Sequence, residues 1–133
     1  MRPLLLMLLA LLPTAGFADG TWSAGSAGIT LPLRNQAIST PALHPPASAP
    51  VGQALISTVS WRYRLLGPTP DGLLVRLCTL QRCTEISGQS GTTRGLGGEA
   101  ANQPLRLIFS VAGRGGLNPP LRVVGQELRV NYR

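Results

Sequence analysis

The sequence is poor in the side chains on which acid–base catalysis and metal binding depend. Its 133 residues include five Asp and Glu residues, one His and two Cys, and all twelve basic residues are Arg, so Lys is absent. Charged residues make up 13% of the chain against 44% hydrophobic residues, a balance that fits neither a charged disordered tail nor a coiled coil. General acid–base catalysis needs positioned His or carboxylate groups, and zinc sites need several ligands. We therefore expect no ordinary enzyme active site and no cofactor.

Long apolar runs are absent except near the N-terminus. Leu4–Leu12 is apolar throughout, follows Arg2 and precedes Pro13, and Gly16-Phe17-Ala18 places small residues at a cleavage site. This arrangement is typical of a secretory signal peptide, and the run is shorter than the about 20 residues that a spanning helix needs. We expect residues 1–18 to be removed, with an uncleaved anchor as the alternative and no later membrane segment. The mature chain would then hold 133 − 18 = 115 residues with a net charge of 11 − 5 = +6.

The predicted export would bring the two cysteines into an oxidising compartment, where disulfides form. Four residues separate Cys78 from Cys83, and apolar runs flank the pair on both sides. The spacing indicates a hairpin whose arms are joined by a disulfide just below the turn, which an oxidising compartment favours. A C-x-x-C redox motif would need a shorter spacing, and a zinc site would need further ligands although His44 is the single His. We therefore predict a structural disulfide.

The remaining pattern predicts strands and turns. The chain has 16 Gly and 12 Pro, and outside the signal segment no stretch shows a helical apolar period. Prolines between residues 34 and 52 favour an extended, mobile loop, residues 88–98 indicate a loop or a kinked edge strand, and residues 113–120 indicate a turn. The predicted strands are 21–33, which is irregular, 53–66, 73–78, 83–87, 105–111, 121–124 and 127–132.

Alternation along these strands assigns their faces. Residues 19–133 are predicted to be one all-β domain, an antiparallel β-sandwich or open barrel of about seven short strands with one disulfide-clamped hairpin. The predicted inward side chains are Leu55, Val59, Trp61, Tyr63, Leu73, Val75, Leu77, Leu105, Leu107, Phe109, Val123, Leu128 and Val130. Period-two alternation then places the polar partners of these residues on the outside.

Arginine recurs on the outward positions. The five residues concerned are Arg62, Arg64, Arg76, Arg106 and Arg129. If their strands share a sheet, they form a guanidinium-rich face that would bind an acidic protein segment, a lipid headgroup or a sugar carboxylate. The alternative is a solvated face whose Arg stems shield apolar surface and which pairs in part with Glu85 or Glu127. Nucleic acid is not an expected partner, because the chain is exported and lacks interleaved aromatic and basic residues.

Motifs for nucleophilic catalysis, phosphate binding and glycan cleavage are incomplete or absent in the sequence. Residues 88–92 lack the last Gly of a G-x-S-x-G elbow and have no His beside them, and residues 91–98 lack a phosphate-loop ending. A cell-wall glycan-binding or glycan-cleaving protein is the second functional hypothesis, and cleavage usually needs two carboxyl groups about 5–9.5 Å apart. The available carboxylates are those of Asp71, Glu85, Glu99 and Glu127. None of them has a recognisable catalytic context.

Short stretches in a specific order run through nearly the whole mature chain. They are Gly28-Ile29-Thr30-Leu31, Trp61-Arg62-Tyr63, Gly67-Pro68-Thr69-Pro70, Gly72-Leu73, Val75-Arg76-Leu77-Cys78, Arg82-Cys83, residues 88–93, Pro104-Leu105-Arg106 and Val130-Asn131-Tyr132-Arg133. Taken together, they make the chain resemble the flagellar protein FlhE family. Residues 34–52 and 94–103 depart from that family's pattern.

The resemblance implies a periplasmic accessory of the flagellum and supplies no catalytic residues. The implied partners are proteins of the flagellar export gate, the rod or the filament. The implied roles are a chaperone that keeps subunits from assembling in the wrong place, or a plug that limits proton leak through the export channel, in support of swarming. Binding would use the arginine residues or an exposed sheet edge to which the partner adds a strand. No oligomeric state is predicted.

Overall fold

Nine β-strands account for most of the residues that the computed structural model describes, which are 19–133. The predicted signal peptide, residues 1–18, lies outside the described residues. The strands are β1 (Gly20–Ala27), β2 (Thr30–Leu33), β3 (Ile38–Ser39), β4 (Ile56–Leu66), β5 (Leu73–Cys78), β6 (Cys83–Ile86), β7 (Ser90–Thr93), β8 (Arg106–Val111) and β9 (Gly116–Tyr132). The predicted strand 21–33 is divided at Gly28 and Ile29, and β3 and β7 add two short strands.

The strands form two antiparallel sheets. Sheet A has the order β1-β9-β4-β7, and β2 pairs with β9 beyond the end of β1. Sheet B has the order β3-β8-β5-β6. Side chains from both sheets make up a single hydrophobic core, so the two sheets pack face to face as a sandwich. The prediction of an all-β antiparallel fold is confirmed.

Eleven of the thirteen side chains predicted to point inward are buried, while Leu73 is partly buried. Leu55 is the exception, because it is 49% exposed and the neighbouring Ile56 is buried instead. A register shift between Ile56 and Thr58 places one extra residue in β4, and that extra residue reverses which side chains face the core. Inside the sandwich the rings of Tyr63 and Phe109 meet edge to face, with centroids 5.0 Å apart, and so join the two sheets.

The prediction of a turn over residues 113–120 is wrong for its second half. The turn ends at Gly115, and β9 runs from Gly116 through Pro119 and Pro120 to Tyr132 as one strand. Proline is tolerated there because pairing with β4 starts only at Arg122, so the prolines interrupt no bond to that strand. On the β2 side they lie within a register shift.

The proline-rich segment 34–52 contains no helix, includes turns at residues 34–35 and 47–48, and is attached to the sandwich at several points. Its β3 strand pairs with β8, and Leu43 exchanges backbone hydrogen bonds with Leu105 at 2.7 and 2.9 Å. Leu43 and Val51 are both buried in the core. The predicted mobility of this segment stays a prediction, and these anchors limit it to the stretches between them.

The hairpin of β5 and β6 carries the predicted disulfide. Cys78 and Cys83 face each other across the two strands and are joined, which confirms the pairing. Within the turn, the hydroxyl of Thr79 accepts the N–H of Arg82 (3.1 Å) and donates to the carboxylate of Glu99 (3.0 Å). One of these hydrogen bonds closes the turn, and the other connects it to the loop that follows β7.

Replacing Cys83 with Ser is expected to lower the melting temperature by about 8 °C. The disulfide closes a short ring, so the loop-closure model assigns it about 2 kcal/mol, and that free energy converts to a shift of this size for a domain of this length. Cys83 is chosen because it is exposed, whereas Cys78 is buried. The measurement is thermal unfolding of the oxidised proteins. Reduced wild type should unfold at the same temperature as the reduced variant, and an oxidised variant as stable as oxidised wild type would show that the bridge contributes nothing.

Candidate functional site

The glycine-rich segment 88–93 is an edge of sheet A that packs on β4. The Gly88 carbonyl accepts the indole N–H of Trp61 at 3.0 Å, and the Gln89 side chain accepts the N–H of Leu65 at 3.1 Å. A Cβ on Gly91 would lie 2.7 Å from the Trp61 ring, so only glycine fits beside that ring. For the predicted segment 88–98 each alternative is correct in part, since residues 90–93 are an edge strand and residues 94–98 form a loop, and Gly91 has a packing role.

The five arginines singled out in the sequence all point outward, but they do not share one face. Arg62, Arg64 and Arg129 lie on β4 and β9 of sheet A, whereas Arg76 and Arg106 lie on β5 and β8 of sheet B. Since the sheets pack through their inner sides, the two groups lie on opposite outer faces of the sandwich. The expectation of a single face with five arginines is therefore corrected to a face with three.

The outer side of sheet A around Arg62, Arg64 and Arg129 is called the arginine face below. Arg129 lies between Ser23 on β1 and Ser60 on β4, and Arg64 lies opposite Gly125 on β9. These small neighbours leave the two guanidinium groups accessible. Arg62 differs, because Glu127 lies opposite it on β9. A shallow depression of about 150 Å³ is lined by Ser60, Trp61, Arg62, Glu127 and Arg129.

Hydroxyl and amide side chains form hydrogen-bonded rows across the same face. Thr21 donates to the side-chain oxygen of Asn131 at 2.9 Å, and the amide of Asn131 donates to Thr58 at 2.9 Å. The hydroxyls of Ser60 and Thr92 hydrogen-bond each other at 2.9 Å. Each bond restricts the rotamers of its two partners, so the surface around the arginines is held in one arrangement. Thr58 and Ser60 already stood on the predicted polar face, but strand pairing was needed to place Thr21, Thr92 and Asn131 beside them.

The two arginines of sheet B have different surroundings. Arg76 lies opposite Glu85 on β6, which offers it a neighbour of opposite charge. Arg106 lies opposite Cys78, next to the disulfide. This face therefore has fewer accessible cations than the arginine face and serves as an internal comparison for it.

The carboxylates considered for glycan chemistry lie at three separate places on the molecule. Glu99 accepts the Thr79 hydroxyl, and Glu127 lies opposite Arg62. Asp71 and Glu85 line a cleft of about 520 Å³ that also contains Tyr63, where burial raises the pKa of the phenol above its ordinary value. Within residues 19–133 no three His, Cys, Asp or Glu side chains come close enough to hold a metal ion. The surface that combines accessible charge with ordered polar neighbours is thus the arginine face.

Comparisons with known sequences agree on one family. Residues 28–133 match the family model of flagellar protein FlhE. The chain is 49% identical to flagellar protein FlhE of Escherichia coli strain K12, with 100% of both chains covered. It is 44% identical to the Yersinia enterocolitica protein of the same name, over 96% of this chain and 91% of that protein. For the Salmonella typhimurium protein the identity is 43% over 100% of both.

Solved structures give the same result. The crystal structure of FlhE superposes with a TM-score of 0.82 at 43% identity, over 88% of this chain and 99% of that one. A serine protease of Aeromonas sobria superposes with a TM-score of 0.58 at 13% identity, over 29% of its own chain, which is a likeness of fold alone. Residues 19–133 contain no helix with the length and hydrophobicity that crossing a membrane requires. The chain belongs to the flagellar protein FlhE family and is an accessory protein of the flagellum.

Proposed function

We propose that this protein acts in the periplasm, without catalysis, by binding a component of flagellar export or assembly on its arginine face. The observation that carries the proposal is the set of three outward arginines on one sheet, two of them beside small side chains. Strands hold these side chains at fixed spacing, and hydrogen-bonded neighbours order the surface around them. Family membership supports a protein of the flagellum as the partner.

Charge favours an acidic surface or segment as the partner. The mature chain would carry 11 − 5 = +6, all of it from arginine. Guanidinium groups bind carboxylates through two parallel hydrogen bonds, which adds orientation to attraction. Exposed charges are screened beyond about 8 Å at physiological salt, so they mainly speed and orient the encounter while local contacts set the lifetime. Binding should therefore weaken as the salt concentration rises.

Two features support a periplasmic location. The N-terminal segment has the layout of a secretory signal peptide. The Cys78–Cys83 disulfide is of a kind that persists in oxidising compartments and is rare in the cytosol. Both fit an accessory protein that meets the flagellum outside the inner membrane.

Chaperone and plug are the two forms that this binding would take. A chaperone binds soluble rod or filament subunits before they assemble, whereas a plug binds the membrane-embedded export gate. The open, shallow surface supports the chaperone form, because it suits an extended or flat polypeptide better than a narrow pore. Fractionation discriminates the two, since the captured partner would appear with soluble subunits in the first case and with membranes in the second.

Reversing Arg62 and Arg64 to Glu should reduce co-purification with flagellar basal-body and rod proteins by about tenfold, because like charges then oppose the acidic partner. Both side chains are exposed, so the fold should persist. The matched control reverses Arg76 and Arg106, which are equally exposed and lie on sheet B. Swarming should fall with the first pair and persist with the second. Unchanged co-purification after reversal of Arg62 and Arg64, or an equal loss with both pairs, would exclude the arginine face as the binding surface.

A further inference from the structure

The edge strands of the sandwich differ in how well they are protected against pairing with another chain. Strand β2 contains Pro32 and a register shift, and β3 has two residues and is soon followed by Pro41. Strands β6 and β7 have four residues each. Strand β1 has eight residues, and its pairing with β9 runs without a register shift from Gly20 to Ala27. Within residues 19–133 it is the longest regular strand with one free edge.

The sequence of β1 carries none of the usual protective residues. Natural proteins block exposed edges with charged side chains, prolines, bulges or short strands. Strand β1 reads Gly-Thr-Trp-Ser-Ala-Gly-Ser-Ala, with no charge and no proline. Apart from Trp22, which is buried, its side chains are small. An incoming strand would therefore meet neither a repelling charge nor a bulky obstacle.

The direction of the free hydrogen-bonding groups follows from the register. Leu55 and Arg133 exchange both of their backbone hydrogen bonds, at 3.0 and 3.1 Å, so the main chain at Arg133 points toward β4. These directions alternate along an antiparallel strand. Even-numbered residues of β9 from Tyr132 to Gln126 therefore bond to β1, where they face even-numbered residues. The N–H and C=O groups of the odd-numbered residues point to the free edge. These residues are Thr21, Ser23, Gly25 and Ala27, and of their groups the Ala27 carbonyl already accepts the Ser26 hydroxyl at 3.0 Å.

We propose that β1 is a strand-addition site that takes an extended, acidic segment of a partner polypeptide. Arg129 fixes the chemistry, because it is the β9 residue opposite Ser23. Neighbouring strands lie about 4.8 Å apart, so an added strand would lie on the order of 10 Å from β9. Ser23 is short enough for the Arg129 side chain to pass over it toward the added strand. If the residue of the added strand opposite Ser23 is Asp or Glu, its carboxylate would lie on the same face and could bind the Arg129 guanidinium.

A second copy of this chain is the less fitting occupant. Its own β1 offers no carboxylate to Arg129, and its mature charge of +6 would repel an equal charge. An acidic segment of a flagellar subunit supplies both the missing carboxylate and opposite charge. The identity of the partner as a flagellar protein rests on the proposed function, whereas the edge and its register do not.

Amide hydrogen exchange, measured by NMR on the protein purified from the periplasm, tests the site directly. The probes are overlapping synthetic peptides that cover the rod and filament subunits of the same bacterium. Binding peptides should be acidic and should slow exchange at Thr21, Ser23 and Gly25 by about tenfold or more, since each free N–H would gain a main-chain acceptor. The amides of Trp22 and Ala24, which already bond to β9, serve as the internal reference.

Ser23→Pro removes the outward N–H at the centre of the edge and leaves the bonds to β9 in place, as proline on an edge strand allows. It should weaken peptide binding by about tenfold. Ser23→Ala keeps the N–H and should bind as wild type does. Replacing the acidic residues of the best peptide with Lys should also abolish binding. The exchange measurement on wild type stands even if the proline variant fails to fold.

Three results would overturn the proposal. The first is peptide binding that leaves exchange at Thr21, Ser23 and Gly25 unchanged, which would assign binding to the arginine face alone and leave the proposed function intact. The second is protection of these amides that grows with protein concentration in the absence of peptide, which would make β1 a self-association edge. The third is that no acidic peptide binds. In that case the proposed function is still tested separately, by the reversal of Arg62 and Arg64.

Discussion

Replacing Gly28 with Ala is expected to lower the free energy of unfolding by about 3 kcal/mol or more. Gly28 lies between β1 and β2, where the chain passes very close to β9. A Cβ at this position would overlap the carbonyl oxygen of Val123, which belongs to the backbone and cannot rotate away. Removing this overlap therefore requires a shift of β9, which is the longest of the nine strands and lies inside sheet A.

Gly116→Ala is the matched control for this substitution. Gly116 also lies where β2 meets β9, but the nearest atom to its added Cβ is the Pro32 carbonyl oxygen at 3.9 Å. Its effect should stay within about 1 kcal/mol in either direction, because Ala also reduces the entropy of the unfolded chain. Urea unfolding of the three proteins gives both differences. A Gly28→Ala protein as stable as the control would show that the chain at Gly28 leaves room for a Cβ beside the Val123 carbonyl.

Local alternation predicted the inner faces of β4, β5 and β8 well. A strand with one buried face must alternate between apolar and polar side chains, so the pattern is written into each segment separately. Leu105, Leu107, Phe109 and Val111 show this, as all four are completely buried. The same local rule placed all five selected arginines correctly on the outside.

The error at Leu55 arose where a single residue changes the register. Leu55 was assigned inward with the odd-numbered residues of β4, yet the extra residue before Thr58 turns it outward. A second shift, between Arg64 and Leu65 on β4, occurs opposite Val124, which is 40% exposed. A bulge depends on how two strands pair over their whole length, so it leaves little trace in one strand's sequence.

The candidate site was predictable in its chemistry but not in its extent. The choice of arginine as the candidate binding side chain follows from composition and alternation. The division between Arg62, Arg64 and Arg129 on one sheet and Arg76 and Arg106 on the other follows from strand order, which joins residues far apart in the chain. The free edge of β1 is also a property of strand order, so no local pattern could identify it.

The arginine face and the β1 edge belong to one surface. Arg129 would take part in both, since it lies on the face and opposite Ser23, whose small side chain leaves room for the guanidinium to reach an added strand. A partner strand on β1 would extend sheet A and carry its own outward side chains onto the arginine face. Main-chain hydrogen bonds would then hold the segment whatever its sequence, while the arginines would select acidic ones. This combination would suit the proposed binding of flagellar subunits.

Replacing Phe109 with Ala is expected to lower the free energy of unfolding by about 3–5 kcal/mol, a large part of the about 5–15 kcal/mol that holds a domain of this kind together. Phe109 is completely buried on β8, and its ring meets that of Tyr63 on β4 across the core. The substitution removes this contact between the two sheets and leaves a cavity lined by side chains that the strands hold in place.

Two further variants separate the volume of Phe109 from its ring contact. Phe109→Leu keeps much of the volume and should lose about 1–2 kcal/mol, mainly the edge-to-face contact and imperfect packing. Tyr63→Phe keeps the ring pair and should change stability by less than about 1 kcal/mol. Urea unfolding monitored by the fluorescence of Trp22 and Trp61 gives all three values. A Phe109→Ala protein that loses less than the Leu variant would show that the sheets close over the vacated space, and that the ring pair is not what holds the faces of the sandwich together.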